Sequence, residues 1–195
     1  MDFKLEWVEK KIIPKTKSPL RYPGGKSKAL KQILPIIPSF NEFREPMVGG
    51  GSVFFALKQL NPKAKFWIND INKELYSFWD ECKNNIDNLI SEIKIIKSES
   101  KDGKILHQKL ISNETEDKFK KAVRFFILNR ITFSGLAESG GYSNMAFNHR
   151  FTDSSISRLK NSSEILKDVN ITNKDYDELL KKTGENVFIF LDPPY

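Results

Sequence analysis

An acid, two prolines and an aromatic ring, Asp192-Pro193-Pro194-Tyr195, follow the apolar run Val187-Phe188-Ile189-Phe190-Leu191. At the tip of a buried strand these four types can hold an exocyclic amino group. The carboxylate accepts a hydrogen bond from the amine. The Pro-Pro unit has no N–H and a fixed φ, so it projects a backbone carbonyl outward as a second acceptor. The Tyr ring offers a stacking face to a planar base. A strand end followed by a proline turn has the same composition, so the rest of the chain must decide between the two.

A second constellation is Glu45-Pro46-Met47-Val48-Gly49-Gly50-Gly51-Ser52-Val53-Phe54-Phe55. It reads as strand, glycine turn and helix, in which glycine lets the chain turn tightly and a ligand approach the backbone. Asp70 lies about 20 residues further on, at the end of the next apolar strand, where an acid can bind the two ribose hydroxyls of an adenosine. Two rival readings fail on spacing. A dinucleotide fingerprint needs glycine at position 54, which is Phe54, and a P-loop ending in Gly25-Lys26-Ser27 needs glycine at position 20, which is Leu20. Tyr22-Pro23-Gly24-Gly25-Lys26 adds a ring, a close-approach loop and a cation, which suit a small ligand with a carboxylate and a planar base.

The elements that must position these residues alternate. The pattern predicts a helix near 27–37, a strand from Phe43 to Val48, a helix from Val53 to Gln59 and a strand from Ala64 to Ile68. One long amphipathic helix is then expected, with Leu75, Phe78, Trp79, Cys82, Ile86, Leu89, Ile90, Ile93 and Ile96 on its stripe. Residues 100–113 read as a polar loop, and Asn113 to Glu116 as a capping box opening a helix to Ile131. Thr132 to Thr152 reads as a hairpin or extended loop. A helix from Ser154 to Leu166, a strand from Val169 to Thr172, a helix from Asp175 to Lys182 closed by Gly184, and a strand from Val187 to Leu191 complete the series. Strands alternating with helices predict an α/β fold with a parallel, doubly wound sheet. The stretch between the second and third strands is long enough for an inserted, mostly helical subdomain.

Composition narrows the class. With 195 residues, 39% hydrophobic and 12% aromatic, the chain can bury a sizeable core. Its 32 Lys and Arg against 25 Asp and Glu give a net charge of +7, which favours a polyanionic partner such as DNA or RNA. One cysteine, Cys82, excludes an internal disulfide, and with only His107 and His149 beside it no zinc-type cluster is expected. No stretch approaches the ~18 apolar residues of a membrane span, and no signal-peptide core opens the sequence, so a cytoplasmic protein is expected.

Five motifs in order carry a resemblance: Arg21-Tyr22-Pro23-Gly24-Gly25-Lys26, Glu45-Pro46-Met47-Val48-Gly49-Gly50-Gly51-Ser52-Val53, Asn69-Asp70-Ile71-Asn72, Asn129-Arg130-Ile131-Thr132-Phe133-Ser134-Gly135-Leu136 and Asp192-Pro193-Pro194-Tyr195. From about residue 18 onward the chain resembles the Dam-type, D12 class DNA adenine-N6 methyltransferases. The resemblance implies a Rossmann-like S-adenosylmethionine-dependent methyltransferase sheet, with a cofactor-binding and catalytic domain over residues 1–80 and 166–195 and a DNA target-recognition insertion over 81–165. It implies that Tyr22, Lys26, Glu45, Gly49, Gly51, Asp70 and Asp192 bind S-adenosylmethionine. Asp192, Pro193, Pro194 and Tyr195 are implied to hold a flipped adenine for methylation. Tyr22 stands where the family often has Trp, and Asp175-Tyr176 is implied to lie near the cofactor adenine.

The implied partner is double-stranded DNA, with a cognate restriction endonuclease as a further partner of the restriction–modification members. Lys118, Lys120, Lys121, Arg124 and Arg130 load one helix, and Arg150, Arg158 and Lys160 follow. Such side chains on phosphates give position rather than sequence. Asn129, Leu136, Glu138, Tyr142 and Asn144 complete the expected DNA-contacting set. Members that read GATC tend to carry Arg two residues after the Gly-Leu pair, whereas this chain has Glu138, which favours a cytosine amine over a guanine edge. The resemblance also implies further strands and helices after Tyr195. Three readings follow: a fragment of a longer gene, an inactive remnant, or half of a split enzyme completed by a C-terminal chain. Methylation of RNA or protein amides is the other enzymatic reading, and a catalytically dead module that binds DNA or cofactor is the reading from another class.

Overall fold

The computed structural model describes residues 14–137 and 139–193. Glu138, Pro194 and Tyr195, each assigned a role by the resemblance, lie outside the described residues. The described chain divides into two compact units, one formed by residues up to 18, 25–71 and 168 onward, the other by residues 19–24 and 72–167.

The first unit is built on a parallel four-stranded sheet. Its strands are β1 (Glu42–Glu45), β2 (Lys65–Asn69), β3 (Asn170–Thr172) and β4 (Val187–Ile189), in the order β3-β2-β1-β4. The order makes β1 the switch point, since the chain leaves it toward β2 on one side and returns to β4 on the other. Ligands of open parallel sheets bind outside the carboxyl ends of the strands at such a point. Phenylalanine fills one face. Phe43 sits in register with Phe66 on β2 and Phe188 on β4, with ring centroids 5.4 and 6.0 Å apart. Phe54, on α2 (Ser52–Leu60), closes edge-on against Phe66 at 5.9 Å. A short helix, α1 (Leu30–Ile33), lies within the expected 27–37 helix and is flanked by single 3-10 turns.

On the opposite face Arg44 is 1% exposed, yet every part of its head is engaged. Nε donates to Glu42 Oε1 at 2.6 Å, Nη1 to the Leu179 and Lys182 carbonyls at 2.8 and 2.5 Å, and Nη2 to the Thr183 carbonyl at 3.2 Å. The side chain thereby ties β1 to the end of α9 (Tyr176–Lys181) and the turn before β4. A Cβ at Gly184 in that turn would stand 2.5 Å from Val187 Cγ2 and 2.7 Å from Arg44 Nη2, so a larger residue would have to displace those side chains.

The second unit is helical. It comprises α3 (Lys73–Asn84), α4 (Ile86–Glu99), α5 (Gly103–Ser112), α6 (Lys118–Ile131), α7 (Asn144–Arg150) and α8 (Asp153–Leu166). Helix α6 is the centre, buried at every position from Ala122 to Ile131. Phe126 stacks on Phe78 of α3 at 5.7 Å, and α8 packs against α3 and α4.

Four expectations are corrected here. The single long helix is two, because Asn85 adopts φ −142°, ψ 37° between α3 and α4. The polar stretch 100–113 contains α5, nucleated by Asp102, whose carboxylate caps Lys104 N and Ile105 N at 2.7 and 3.1 Å. Helix α6 opens at Lys118 under an Asp117 cap, not at the Asn113–Glu116 box. The stretch 132–152 is not wholly extended, since Ser143 caps α7 within it.

Candidate functional site

The carboxyl edge of the sheet collects Glu45, the Gly49–Gly51 turn, Asp70 and Asp192. After β1 the chain turns through Val48–Gly51, closed by Gly51 N on the Val48 carbonyl at 2.7 Å. Gly49 and Gly51 take φ of 47° and 66°, the left-handed region where glycine alone is unstrained. Asp70 Oδ2 accepts from Gly49 N at 2.9 Å, which fixes the acid at the end of β2 against the glycine turn. Gly51 stands at the N-cap of α2, with no side chain to cap the helix. Glu45 reaches the same place from the end of β1, its Oε2 accepting from Phe54 N at 3.1 Å.

Asp192 arrives from β4. Pairing to β1 persists through Phe190 N on the Arg44 carbonyl at 2.9 Å, after which Leu191, Asp192 and Pro193 run off the edge. Lys26 Nζ lies 2.6 Å from both Asp192 oxygens, each side chain 25% exposed. Glu45 is 3% exposed, and its carboxyl is pushed well above the usual carboxylate range. Burial is the main cause, opposed by the Phe54 N–H and then reinforced by the charges of Asp192 and Asp70, while Lys26 acts the other way. Glu45, Asp70, Asp192 and Lys26 therefore form one interacting cluster. A carboxylate that can accept from hydroxyls at the end of β2, beside a tight glycine turn and within reach of a lysine and a second acid, suits an adenosine bearing an amino-acid tail, so these residues fit S-adenosylmethionine. Tyr176 is 48% exposed, and Asp175 spends its carboxylate capping α9 through Asp177 N at 3.0 Å. Tyr22 is 39% exposed and belongs to the segment that clusters with the second unit.

In the second unit the basic and polar residues divide sharply. Asn129 is fully buried, accepting from Arg21 N at 3.1 Å and donating to the Arg21 and Gly135 carbonyls at 2.6 and 2.9 Å. It clamps two loops rather than facing solvent. Arg124 is 9% exposed, pairs with Glu74 and donates through Nε to the Leu110 carbonyl at 2.6 Å, so it joins α3, α5 and α6. Arg130 is 5% exposed, lies 5.1 Å over the Phe126 ring, and its Nε is buried without a hydrogen-bond partner. Burial lowers its pKa to about 10, and Arg158, Arg21 and Arg150 push the same way. The four arginines thus concentrate positive charge in one place.

Beyond α6 the chain makes a compact loop closed by an antiparallel bridge between Thr132 and Tyr142, with Phe133 N on the Gly141 carbonyl at 3.1 Å. Tyr142 donates to Asn144 Oδ1 at 3.1 Å, and Asn144 and Arg150 are exposed. Leu136 stands out at 41% exposure, and so do two residues that sequence reasoning did not assign, Phe133 and Met145, each at 61%. The available signal was that large apolar side chains stand in a polar, glycine-rich stretch where no periodicity places them in a core. Arg21, in the Arg21–Lys26 segment, is a third residue that sequence reasoning did not assign, its backbone bonded to Asn129 and its charge acting on Arg130. Among the described residues no group of three or more His, Cys, Asp or Glu is arranged to hold a metal ion, and no helix is long and apolar enough to cross a membrane.

The family model of the D12 class N6 adenine-specific DNA methyltransferases matches residues 22–195. A type II methyltransferase of Methanocaldococcus jannaschii is 29% identical over 197 residues, covering 90% of this chain and 68% of the relative. A type II methyltransferase of Lactococcus lactis subsp. cremoris is 28% identical over 192 residues, covering 90% and 64%. The DNA adenine methylase of Escherichia coli strain K12 is 26% identical over 187 residues, covering 93% and 66%. The chain spans about two thirds of the length of these relatives.

Proposed function

The chain belongs to the D12 class of N6 adenine-specific DNA methyltransferases, and from that premise we propose that it methylates the N6 amino group of an adenine in double-stranded DNA with S-adenosylmethionine as donor. The observation that carries the proposal is the acid–lysine cluster at the strand ends, where Asp192 enters the same charge network as Glu45 and Asp70.

When bound, S-adenosylmethionine supplies a methyl group made electrophilic by its sulfonium. Asp70, beside the Gly49–Gly51 turn, is assigned the ribose hydroxyls, and Lys26 and Glu45 the amino-acid end; Tyr22 is assigned to the cofactor on the resemblance alone. Asp192 and the Pro193 carbonyl are assigned the adenine amine. An aromatic amine is a poor nucleophile because its lone pair is delocalised into the ring. Two acceptors that bind its hydrogens favour a pyramidal nitrogen and a localised pair. Alignment of this kind can account for about 7–11 kcal/mol of a barrier. A base inside a duplex cannot reach residues at a sheet edge, so the adenine must leave the stack, and Tyr195 is assigned its stacking face.

The second unit is assigned the rest of the DNA. Arg21, Arg130, Arg150 and Arg158 suit phosphates, while Tyr142, Asn144 and Glu138 suit base edges. Exposed Phe133, Leu136 and Met145 are the kind of apolar side chain that inserts between base steps or covers a thymine methyl. Arg124 and Asn129 leave the contacting set, since both are buried and engaged.

The test is methyl transfer from labelled S-adenosylmethionine to unmethylated DNA by the 195-residue chain, beside Asp192→Ala, with product nucleosides separated. N6-methyladenine from the wild type and none from the variant is the expected result. Label in another base, or binding of cofactor and DNA without transfer, would overturn it. Mapping the methylated sites is expected to return a sequence other than GATC, because Glu138 stands where GATC readers tend to have Arg.

A further inference from the structure

Asn69, the last residue of β2, is 1% exposed, and its carboxamide uses its full hydrogen-bonding capacity. Nδ2 donates to the Pro46 carbonyl at 3.0 Å and to the Lys174 carbonyl at 2.9 Å. Oδ1 accepts from Lys174 N at 2.9 Å and from Thr172 Oγ1 at 2.7 Å. Its own backbone carbonyl accepts from Val48 N at 2.9 Å. Thr172 Oγ1 in turn accepts from Trp67 Nε1 at 2.8 Å, which orients the hydroxyl toward Asn69. One side chain therefore ties together the ends of β1, β2 and β3.

Its contacts bracket the cofactor-facing residues. Pro46 and Val48 lead into the glycine turn. Lys174 leads into Asp175 and Tyr176. Asp70 is the next residue, held by its N–H on the Thr172 carbonyl at 3.3 Å and by its carboxylate on Gly49 N. Asn173 adds a second amide, donating through Nδ2 to the Asp70 and Ile71 carbonyls at 2.7 and 2.9 Å.

We infer that Asn69 is a positioning residue for the nucleoside half of the cofactor, setting the spacing between the Asp70 carboxylate, the Gly49–Gly51 turn and the Lys174–Tyr176 turn. The inference rests on the reading that this edge binds S-adenosylmethionine. The site needs an amide in particular, because two carbonyls face the nitrogen and two donors face the oxygen. Aspartate keeps the shape and the acceptor but turns an anionic oxygen toward the Pro46 and Lys174 carbonyls. Leucine keeps the volume and removes all four side-chain hydrogen bonds. Neither variant removes a group that touches the ligand.

The test compares wild type, Asn69→Asp and Asn69→Leu in the full 195-residue chain. The readouts are calorimetric affinities for S-adenosylhomocysteine and for 5′-methylthioadenosine, which is the nucleoside half alone, at pH 5 to 8, with a melting curve at each pH. At pH 8 both variants are expected to bind both ligands roughly 10- to 100-fold more weakly, the loss of one or two well-placed hydrogen bonds. For Asn69→Asp, the ratio to wild type at the same pH recovers toward pH 5, where a protonated carboxyl can donate to one of the two carbonyls. Asn69→Leu shows no recovery. Taking the ratio at each pH removes the titration that Glu45, Asp70, Asp192 and Lys26 contribute to every variant. Equal affinities at all pH values, or losses that follow only the unfolded fraction, would overturn the inference and leave the cofactor reading intact. A wild-type chain that binds neither ligand would overturn both.

Discussion

Lys26 Nζ bridges both carboxylate oxygens of Asp192 at 2.6 Å, so the acid assigned to the adenine amine is already held by a cation from a loop 166 residues away in sequence. The pair is one-quarter exposed, and its geometry fixes the carboxylate at the point where β4 leaves the sheet. Lys26→Ala is expected to lower the single-turnover rate of methyl transfer by roughly 10- to 100-fold, the equivalent of one charge-assisted hydrogen bond. Lys26→Arg should restore part of it, because a fork of donors can still meet two oxygens. An unchanged rate in the alanine variant would remove Lys26 from the site.

Glu45 gives a pH dependence with a definite sign. Burial, then Asp192 and Asp70, hold its folded-state pKa well above the ordinary value, despite the Phe54 N–H and Lys26. Between the unfolded and folded pKa values the native chain binds a proton that the unfolded chain does not, so stability falls as pH rises through that window. Glu45→Gln keeps an acceptor for Phe54 N and cannot ionise. Its melting temperature should exceed the wild type's by a margin that grows with pH from the acid range upward and then levels off. Parallel melting curves at all pH values would contradict this.

The strand ends were legible because two local signals coincide there, namely short apolar runs bounded by glycine or acid and the spacing of Asp70 from the glycine turn. Those signals placed Gly49, Asp70 and Asp192 correctly at the carboxyl edge of one sheet. What the chain hides is tertiary. Nothing local marks the break at Asn85, because the apolar stripe continues in phase across it. Helix α5 was masked by its own pattern, since Ile105 is 63% exposed and only Leu106 among its large apolar residues is buried. Arg124 and Asn129 read as solvent-facing because their partners, Glu74 and Arg21, lie 50 and 108 residues away.

The Arg124–Glu74 pair carries a stability prediction. Both side chains are largely buried, and removing Arg124 takes away the positive charge that offsets the buried Glu74 carboxylate. Arg124→Met should cost about 3–5 kcal/mol in urea unfolding, and Arg124→Met with Glu74→Met should regain most of that loss. The affinity of the folded single variant for DNA should stay at the wild-type value. A clear fall in affinity at full folding would return Arg124 to the DNA-contacting set.

Cys82 reports on the same unit. It is fully buried on α3, and burial pushes its thiol up to about 12. The folded chain should resist alkylation at pH 8, with modification appearing only as fast as the second unit opens. The unfolded thiol ionises first as pH rises, so the thiol contributes a loss of stability between its ordinary value and about 12. Rapid labelling under native conditions would show that α3 is not packed as described.

Arg130 should behave oppositely to Arg124 although both lie on α6. Its guanidinium is nearly buried, its Nε has no hydrogen-bond partner, and beside burial the positive charges of Arg158, Arg21 and Arg150 act against its own. A core residue chosen for stability would not be a cation in that setting, whereas a phosphate brought to the four arginines would satisfy it. Even at a pKa of about 10 it is protonated at neutral pH, so the charge is present when DNA arrives. Arg130→Met should therefore raise stability, by about 1–2 kcal/mol, because it removes a poorly compensated buried charge and keeps the packing on Phe126. The same variant should bind DNA more weakly across all sequences, with the salt dependence of binding reduced by about one phosphate contact. Lower stability with unchanged DNA affinity would make Arg130 a packing residue and dissolve the phosphate site.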